Sequence, residues 1–255
     1  MAMDHKKHIL SYTRRAVDDY GMIKPGDKIA VGVSAGKDSL TLLCAMAWLR
    51  RFYPVPFELI AITVDMGFEG GTDFTPIADL CRRLDVPYKV IPSDIAKIIF
   101  DIRKEPNPCS LCAKLRRGAL NNAAKAEGCT TVALGHHFDD AVETFMLNLF
   151  YEGRLGCFQP VTYLSRVGLH VIRPLLYAPE KEVRAFAKEE NLPVVPSSCP
   201  ADEKTEREAM KQLLAALERD NKGLRHRIFG AMQRAEIDGF YLPDRRPLII
   251  PEPEE

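Results

Sequence analysis

The chain has 255 residues, an apolar fraction of 46%, and 35 basic side chains balanced by 35 acidic ones. The apolar fraction is enough to form a buried core, and the length predicts one large domain, or one domain with helical appendages. The zero net charge gives no evidence for a nucleic-acid partner. No apolar run is long enough to cross a membrane, which excludes a membrane-spanning helix.

Hydrophobic periodicity divides the chain into alternating helices and strands. The first predicted element is an amphipathic helix over residues 5–20, and a nearly continuous apolar run at 28–33 predicts a strand covered on both faces. The later elements are, in order, a helix ending near Phe52, a strand at 57–64, a helix at 75–84, a strand at 88–91, helices at 94–102 and 111–127, a strand at 130–134, a helix at 138–151, a strand at 171–172, a helix at 179–191 with Pro179 at its first position, and helices at 204–219 and 222–236.

This alternation predicts an α/β protein with an open, mainly parallel sheet and helices on both faces. We expect an N-terminal helix in residues 1–24, a central domain in 25–195, and further helices and a proline-rich tail in 196–255. Ligands of such sheets bind beyond the carboxyl ends of the strands. The strands that end at Ser34, Asp65 and Gly135 should therefore share one crevice.

The loop after the first strand has the features of an anion site. Small residues at Ser34-Ala35-Gly36 separate the strand from a helix, and the free N–H groups of a helix N-terminus favour phosphate. Lys37 adds positive charge, and Ser34 and Ser39 add hydroxyl groups. The stretch 34–39 resembles the PP-loop of the ATP pyrophosphatases, usually Ser-Gly-Gly-x-Asp-Ser. Ala35 stands where Gly is usual, so it is strained if that position needs a positive φ.

A second polar loop follows the strand at 130–134. Two adjacent carboxylates, Asp139 and Asp140, could bind Mg²⁺ through oxygen or could cap the helix that begins there. The stretch from Gly135 through His136 to Asp140 resembles the second motif of the PP-loop enzymes that modify tRNA. The resemblance implies that ATP and Mg²⁺ bind in this crevice, on the residues Ser34, Ala35, Gly36, Lys37, Asp38, Ser39, Asp65, Gly135, His136, Asp139 and Asp140.

Seven cysteines and the lack of a signal peptide predict a cytoplasmic protein with reduced thiols. Cys109 and Cys112 have the spacing of a metal-binding pair, and Cys199 is the best candidate for a third ligand, ahead of Cys157. Cys44 and Cys81 lie on apolar helix faces and are expected in the core. Three thiolates suit a [4Fe–4S] cluster with one open iron, whereas zinc would require a histidine or another cysteine as a fourth ligand.

The segment that begins at Cys109, together with the two loops and Ile172-Arg173-Pro174-Leu175, resembles the tRNA 2-thiocytidine synthetases of the TtcA type. The likeness runs from about residue 6 to residue 235. It implies an adenine nucleotide alpha hydrolase-like PP-loop fold and an ATP-dependent tRNA sulfurtransferase with a [4Fe–4S] cluster on Cys109, Cys112 and Cys199.

In such an enzyme ATP would adenylate the C2 oxygen of a tRNA cytidine at position 32, with Lys37, Asp38 and Asp139 as catalytic residues. Sulfur would then replace that oxygen, supplied by a cysteine desulfurase or another sulfide source; a homodimer is left open. The expected contacts to RNA phosphates are Lys114, Arg116, Arg117, the N-terminal helix and the basic cluster at 222–227.

The residues leave other functions open. Another PP-loop tRNA-modifying enzyme, making 2-thiouridine or lysidine, would share the ATP chemistry, and lysidine synthesis needs no cysteine cluster. A cluster-dependent enzyme could remove sulfur instead of inserting it. A non-catalytic nucleotide or iron–sulfur sensor is a further alternative, although two intact acidic motifs are unnecessary for it. Nucleoside analysis of tRNA and metal analysis separate these hypotheses.

Overall fold

The computed structural model describes residues 4–104, 108–196, 199 and 206–242. Its helices and strands follow the predicted order. The elements are α1 (His5–Asp19), β1 (Lys28–Gly32), α2 (Lys37–Leu49), β2 (Glu58–Val64), α3 (Thr75–Arg83), β3 (Tyr88–Ile91), α4 (Ile95–Lys97) with a π-turn at Ile98–Ile102, α5 (Pro108–Ala126), β4 (Thr131–Ala133), α6 (Phe138–Tyr151), β5 (Val161–Leu164), β6 (Leu169–Ile172), α7 (Glu180–Glu189), α8 (Glu206–Asp220), α9 (Leu224–Arg234) and a 3₁₀ turn at Ile237–Gly239.

The six strands form one sheet in the order β3-β2-β1-β4-β6-β5. Every neighbouring pair is parallel except β5 and β6, which form an antiparallel hairpin at one edge. The mainly parallel α/β fold is therefore confirmed. The sequence pattern missed β5, because its four residues alternate poorly and its Tyr163 side chain is exposed at the sheet edge.

The two faces of the sheet pack against different helices. Ile29 and Val31 of β1 face the larger apolar cluster, which α1, α2, α6 and α7 cover, whereas Ala30 faces a smaller cluster that includes Leu120 and Ala124 of α5. This alternation along β1 explains why the strand is apolar at every position. Among the described residues, we find no helix with both the length and the apolar character of a membrane span.

All three predicted segments of the chain contribute to the larger cluster. Ile9 of α1 and Phe240 near the C-terminal end of the described chain are both fully buried in it. The proposed boundaries at 24 and 195 stay a prediction. Pro179 precedes α7 as its N-cap, in an extended conformation, and is not its first helical residue as predicted. The predicted tail beyond Leu242 lies outside the described residues, as do the first two positions of the helix at 204–219.

The loop between β1 and α2 contains a strained residue. Ala35 has a φ of 65°, in the left-handed region, and its side chain is buried. The following Gly36 has a φ of −83°, which any residue can adopt. The position that favours glycine is therefore Ala35, as its departure from the usual motif suggested.

We expect Ala35→Gly to leave the protein as stable as the wild type or to stabilise it by up to about 1 kcal/mol. Relief of left-handed strain in an alanine gains about 1–2 kcal/mol, and the added freedom of the unfolded chain offsets about 0.4–1 kcal/mol. Urea unfolding measures the difference. Ala45→Gly in α2 is the control and should destabilise the protein. A loss of more than about 1 kcal/mol for Ala35→Gly would contradict the strain.

Candidate active site

The loops after β1 and β4 meet at the carboxyl edge of the sheet. A Cβ atom built on Gly135 would lie 3.0 Å from the backbone carbon and oxygen of Asp38 and 3.1 Å from the nitrogen of Ser39. Backbone atoms cannot move aside as a flexible side chain can. The absence of a side chain at Gly135 therefore allows the loop of the second motif to pack directly on the first turn of α2.

Hydrogen bonds within the loop at 34–39 hold its shape. The Ser39 hydroxyl accepts from the Ser34 backbone N–H at 3.1 Å and donates to the Gly36 carbonyl at 3.0 Å. Gly36 is the N-cap of α2 and makes no side-chain capping bond. The first N–H groups of α2 thus have no side-chain acceptor at their N-cap, which is the arrangement that binds phosphate at a helix N-terminus.

Lys37 forms ion pairs with two carboxylates. Its Nζ lies 3.0 Å from Asp38 Oδ1 and 3.3 Å from Glu180 Oε1, and Glu180 is the first residue of α7. Burial acts to lower the pKa of Lys37, but the charges and hydrogen bonds of Asp38 and Glu180 outweigh it and raise that pKa. The lysine therefore stays charged where an anionic ligand would approach the loop.

Glu180 is held between several cations. Its carboxylate lies 2.7 Å from Lys211 Nζ, 3.0 Å from Arg184 and 3.3 Å from Lys37. Burial acts to raise the pKa of Glu180, but the hydrogen bond to Lys211 and the charge of Lys37 dominate and lower it to about 2. This carboxylate is therefore a permanent anion that orients Lys37. Glu180 was not among the predicted site residues, because no local sequence motif marks it.

The two adjacent carboxylates of the second motif have structural roles at the starts of α6 and α7. His137 is the N-cap of α6, and Asp140 completes a capping box by accepting the His137 N–H at 2.9 Å. Asp139 accepts the backbone N–H of Glu180 at 2.7 Å and pairs with Arg225 at 2.9 Å. Of the two roles predicted for the carboxylates, Asp140 therefore takes part in capping α6. It does so from the third helical position, and His137 is the N-cap.

The second motif also brings a histidine to Asp38 and pairs its own carboxylates with two arginines. Nε2 of His137 lies 3.7 Å from Asp38 Oδ1, and Arg207 lies 3.0 Å from Asp140. Arg225 is mostly buried between Asp139 and Glu143. The expectation that the whole basic cluster at 222–227 contacts RNA is therefore wrong for the Arg225 side chain, which turns inward because these two carboxylates accept it.

The cysteines of the predicted cluster lie at the surface of the fold. Cys109 is exposed, and Cys112 and Cys199 are half-buried. Burial raises the pKa of the Cys112 thiol, the charge of Arg116 opposes that rise, and Cys199 and Cys109 add to it. Cys112 is thus electrostatically coupled to both other thiols, although some ninety residues separate Cys199 from the pair in sequence.

The three thiols supply a donor set that either metal centre can use. One tetrahedral zinc ion would bind all three thiolates and a fourth ligand, with Zn–S bonds of about 2.3 Å. In an iron–sulfur cluster each cysteine binds a different iron, and three cysteines leave one iron open. The three thiols therefore offer the donors of a [4Fe–4S] centre.

The other cysteines lie elsewhere in the described structure. Cys44 and Cys81 are buried in the core, as predicted, and burial raises their pKa values to about 12 and about 11. Cys129 is also buried. The Cys157 thiol donates to the Ala141 carbonyl at 3.4 Å, and burial raises its pKa to about 12. Cys157, the second candidate for a third ligand, is therefore occupied as a hydrogen-bond donor.

A backbone hydrogen bond connects the segment that follows α7 to the loop at 34–39. The N–H of Val195 donates to the carbonyl of the strained Ala35 at 3.1 Å, four residues before Cys199. The segment that follows α7 is therefore tethered at Val195 to the loop at 34–39. This hydrogen bond lies at the same edge of the sheet as Lys37 and Asp38.

A buried cation lies beside the second motif. Arg173 follows β6, is 8% exposed, and its guanidinium carbon stands 4.8 Å from the centre of the Phe158 ring. The His136 ring packs against the same Phe158 ring, with 4.8 Å between the two ring centres. Burial, and then the charge of Arg173, lowers the pKa of His136 to about 4, so its ring is neutral. Nε of Arg173 and Nδ1 of His136 have no hydrogen-bond partner among the described residues.

The remaining predicted site residues are Asp65 and three basic residues of α5. Asp65 follows β2 at the carboxyl edge, where its carboxylate accepts the Gly67 N–H at 3.1 Å. Lys114, Arg116 and Arg117 are exposed on α5, in the two turns after Cys112. Their contact with RNA phosphates stays a prediction. Burial lowers the pKa of Arg173 to about 10, and the charge of Arg117 adds to this effect.

A comparison with protein-family models matches residues 6–217 to the PP-loop domain. The chain is 41% identical over 243 residues to a tRNA-cytidine(32) 2-sulfurtransferase of Geobacter sulfurreducens, with 93% of each chain covered. It is 42% identical over 230 residues to a protein of the same name from Syntrophotalea carbinolica, with 89% of this chain and 88% of the other covered.

Solved structures show the same architecture. The U34-tRNA thiolase NcsA from Methanococcus maripaludis, solved with its [4Fe–4S] cluster, superposes with a TM-score of 0.73 and 28% identity. That match covers 90% of this chain and 79% of the thiolase. The NH3-dependent NAD synthetase of Campylobacter jejuni superposes with a TM-score of 0.50 and 18% identity, covering 96% and 100% of the two chains. The second likeness shows the fold alone.

The lowered pKa of Glu180 predicts a specific pH dependence of stability. A carboxyl group with a pKa below its ordinary value of 4.5 contributes stability above 4.5, and this contribution is lost as the pH falls toward about 2. Glu180→Gln should therefore lose less unfolding free energy than the wild type between about pH 5 and about pH 3. Urea unfolding across this range tests it, with the exposed Glu189→Gln on the same helix as control. Equal pH dependence in all three proteins would contradict the role of Glu180.

Proposed function

The chain belongs to the PP-loop domain family, and we propose that it is an ATP-dependent tRNA sulfurtransferase that converts cytidine 32 of tRNA to 2-thiocytidine. The observation that carries the proposal is the 41% identity to a tRNA-cytidine(32) 2-sulfurtransferase across 93% of both chains. The geometry supports it, because Val195, four residues before Cys199, donates a hydrogen bond to the carbonyl of Ala35 in the nucleotide-type loop.

The loop at 34–39 provides the site for ATP activation. The first N–H groups of α2 and the charge of Lys37 would hold the β and γ phosphates. The C2 oxygen of the cytidine attacks the α-phosphorus, the bond to the bridging oxygen breaks, and pyrophosphate leaves. Lys37 stabilises the charge that develops on this leaving group. The product is a base whose oxygen has become part of an AMP leaving group.

The acidic residues of the crevice would hold Mg²⁺. Asp38, Asp139 and Asp140 supply carboxylate oxygens, the donors that Mg²⁺ prefers, and Asp38 stands beside both Lys37 and His137. Binding of the ion would require Asp139 to share or release Arg225. The metal supplies charge neutralisation on the phosphates. Ser34, Ala35, Gly36, Ser39, Asp65, Gly135 and His136 complete the proposed nucleotide site.

Cys109, Cys112 and Cys199 would hold the [4Fe–4S] cluster of the proposed enzyme. When bound, the cluster supplies an iron without a cysteine ligand, which suits the delivery of sulfur. The nearby Arg116 stabilises the Cys112 thiolate, the form that binds metal. The hydrogen bond between Val195 and Ala35, four residues before Cys199, is consistent with a cluster near the nucleotide loop.

We propose that the tRNA lies against the exposed basic residues of α5. Lys114, Arg116 and Arg117 would contact its phosphates and place the target base between the cysteines and the crevice. Beyond tRNA, the proposed partners are a cysteine desulfurase or another sulfide source and a second copy of the chain in a homodimer. The proposed location is the cytoplasm, where thiols stay reduced.

The proposed activation step predicts the products of ATP cleavage. With substrate tRNA the wild-type protein should release AMP and pyrophosphate, and Asp38→Asn should lower this rate at least about a hundredfold through weaker metal binding. Chromatography of labelled ATP products measures it. Asp79→Asn, a half-exposed residue of α3, is the control and should keep the wild-type rate. Release of ADP and orthophosphate, or full activity in Asp38→Asn, would rule out the assigned chemistry.

The cluster assignment predicts the iron content. Anaerobically prepared protein should be brown and contain about four irons per chain. Replacement of Cys109, Cys112 or Cys199 by alanine should remove the iron, because each thiolate binds a different corner. Cys44→Ala and Cys81→Ala, in the core, are the controls and should retain it. Iron analysis with visible absorption decides. Stoichiometric zinc in a colourless protein, or full iron in Cys199→Ala, would overturn the assignment.

A further inference from the structure

A second group of metal-binding side chains lies where α1 crosses the start of α7. His5 and His8 are three residues apart on α1, so they share one helical face. The Nδ1 atoms of His5 and His8 lie 3.0 Å and 3.1 Å from Oε2 of Glu182 on α7. The three donor atoms lie within 4.8 Å of one another, and no other such group of three occurs among the described residues.

We propose that His5, His8 and Glu182 bind a divalent transition-metal ion, with Zn²⁺ as the best match. Two imidazole nitrogens and one carboxylate oxygen form a known zinc donor set. Two donors that each lie about 2.0–2.1 Å from one tetrahedral ion are about 3.3 Å apart. The observed separations of 3.0 and 3.1 Å therefore need only a small adjustment.

The surroundings favour a site with one open position. The Glu182 side chain is 8% exposed, so its carboxylate is confined, whereas His8 is 45% exposed and leaves a path to solvent. Burial acts to raise the pKa of Glu182, but hydrogen bonds from His5 and His8 outweigh it and lower that pKa. The carboxylate is thus anionic and ready to ligate, and water can occupy the fourth position.

A metal at this site would connect the N-terminal helix to the nucleotide crevice. His5 and His8 belong to α1, and Glu182 lies two positions after Glu180, the residue that orients Lys37. The ion would join α1 to the first turn of α7. Its proposed role is to stabilise the fold, and the site shares no residue with the cysteine cluster or with the proposed thiolation site.

The alternative occupant of the site is a pair of protons. Protonated His5 and His8 could simply form ion pairs with Glu182, without any metal. Equilibrium dialysis against Zn²⁺ at about pH 8, where free imidazole is neutral, separates the two cases. The cluster-loaded full-length chain is used, so that the thiols are already occupied.

The wild type should bind one zinc more than His8→Ala, and Zn²⁺ should raise its melting temperature by mass action. His8→Ala should show neither effect, and Glu182→Gln should bind zinc at least about tenfold more weakly. Lys7→Ala, on the same turn of α1, is the control and should behave as the wild type. X-ray absorption at the zinc edge should show only nitrogen and oxygen ligands. Equal zinc binding in wild type and His8→Ala, or sulfur among the zinc ligands, would overturn the site.

Discussion

The structure depends on the ion pair between Lys37 and Glu180. It joins the first turn of α2 to the first turn of α7, two elements about 140 residues apart in sequence. The Glu180 backbone N–H in turn donates to Asp139 of α6. Three helix N-termini thereby meet in one crevice. Each carries a positive end of a helix dipole, and together they form a site suited to a polyanion such as ATP.

Two backbone contacts position the loops of the crevice. Gly135 packs against the backbone of Asp38, with no space there for a side chain, and the carbonyl of the left-handed Ala35 accepts the Val195 N–H. Val195 lies four residues before Cys199, the proposed third ligand of the cluster. A strained residue in the nucleotide loop therefore also makes the contact to the segment that follows α7.

The sequence predicted the features that local patterns encode. Buried apolar runs indicated β1 and β2, and the small-residue loop before Lys37 indicated the anion site. Charges from distant elements left no local signal, so Glu180 and the inward turn of Arg225 were not predicted. Cys199 was predicted as the third ligand first from the residues and then from a resemblance, and the structure adds its electrostatic coupling to Cys112. The edge strand β5 was missed because short strands in hairpins depend on their partner for stability.

The central claim is that the crevice and the three thiols act together on one cytidine. The most direct test is mass spectrometry of nucleosides from unmodified tRNA incubated anaerobically with the cluster-loaded protein, Mg-ATP and sulfide. The account predicts 2-thiocytidine at position 32, formed only when ATP is present. Lysidine, thiolation of uridine, or 2-thiocytidine formed without ATP would contradict it.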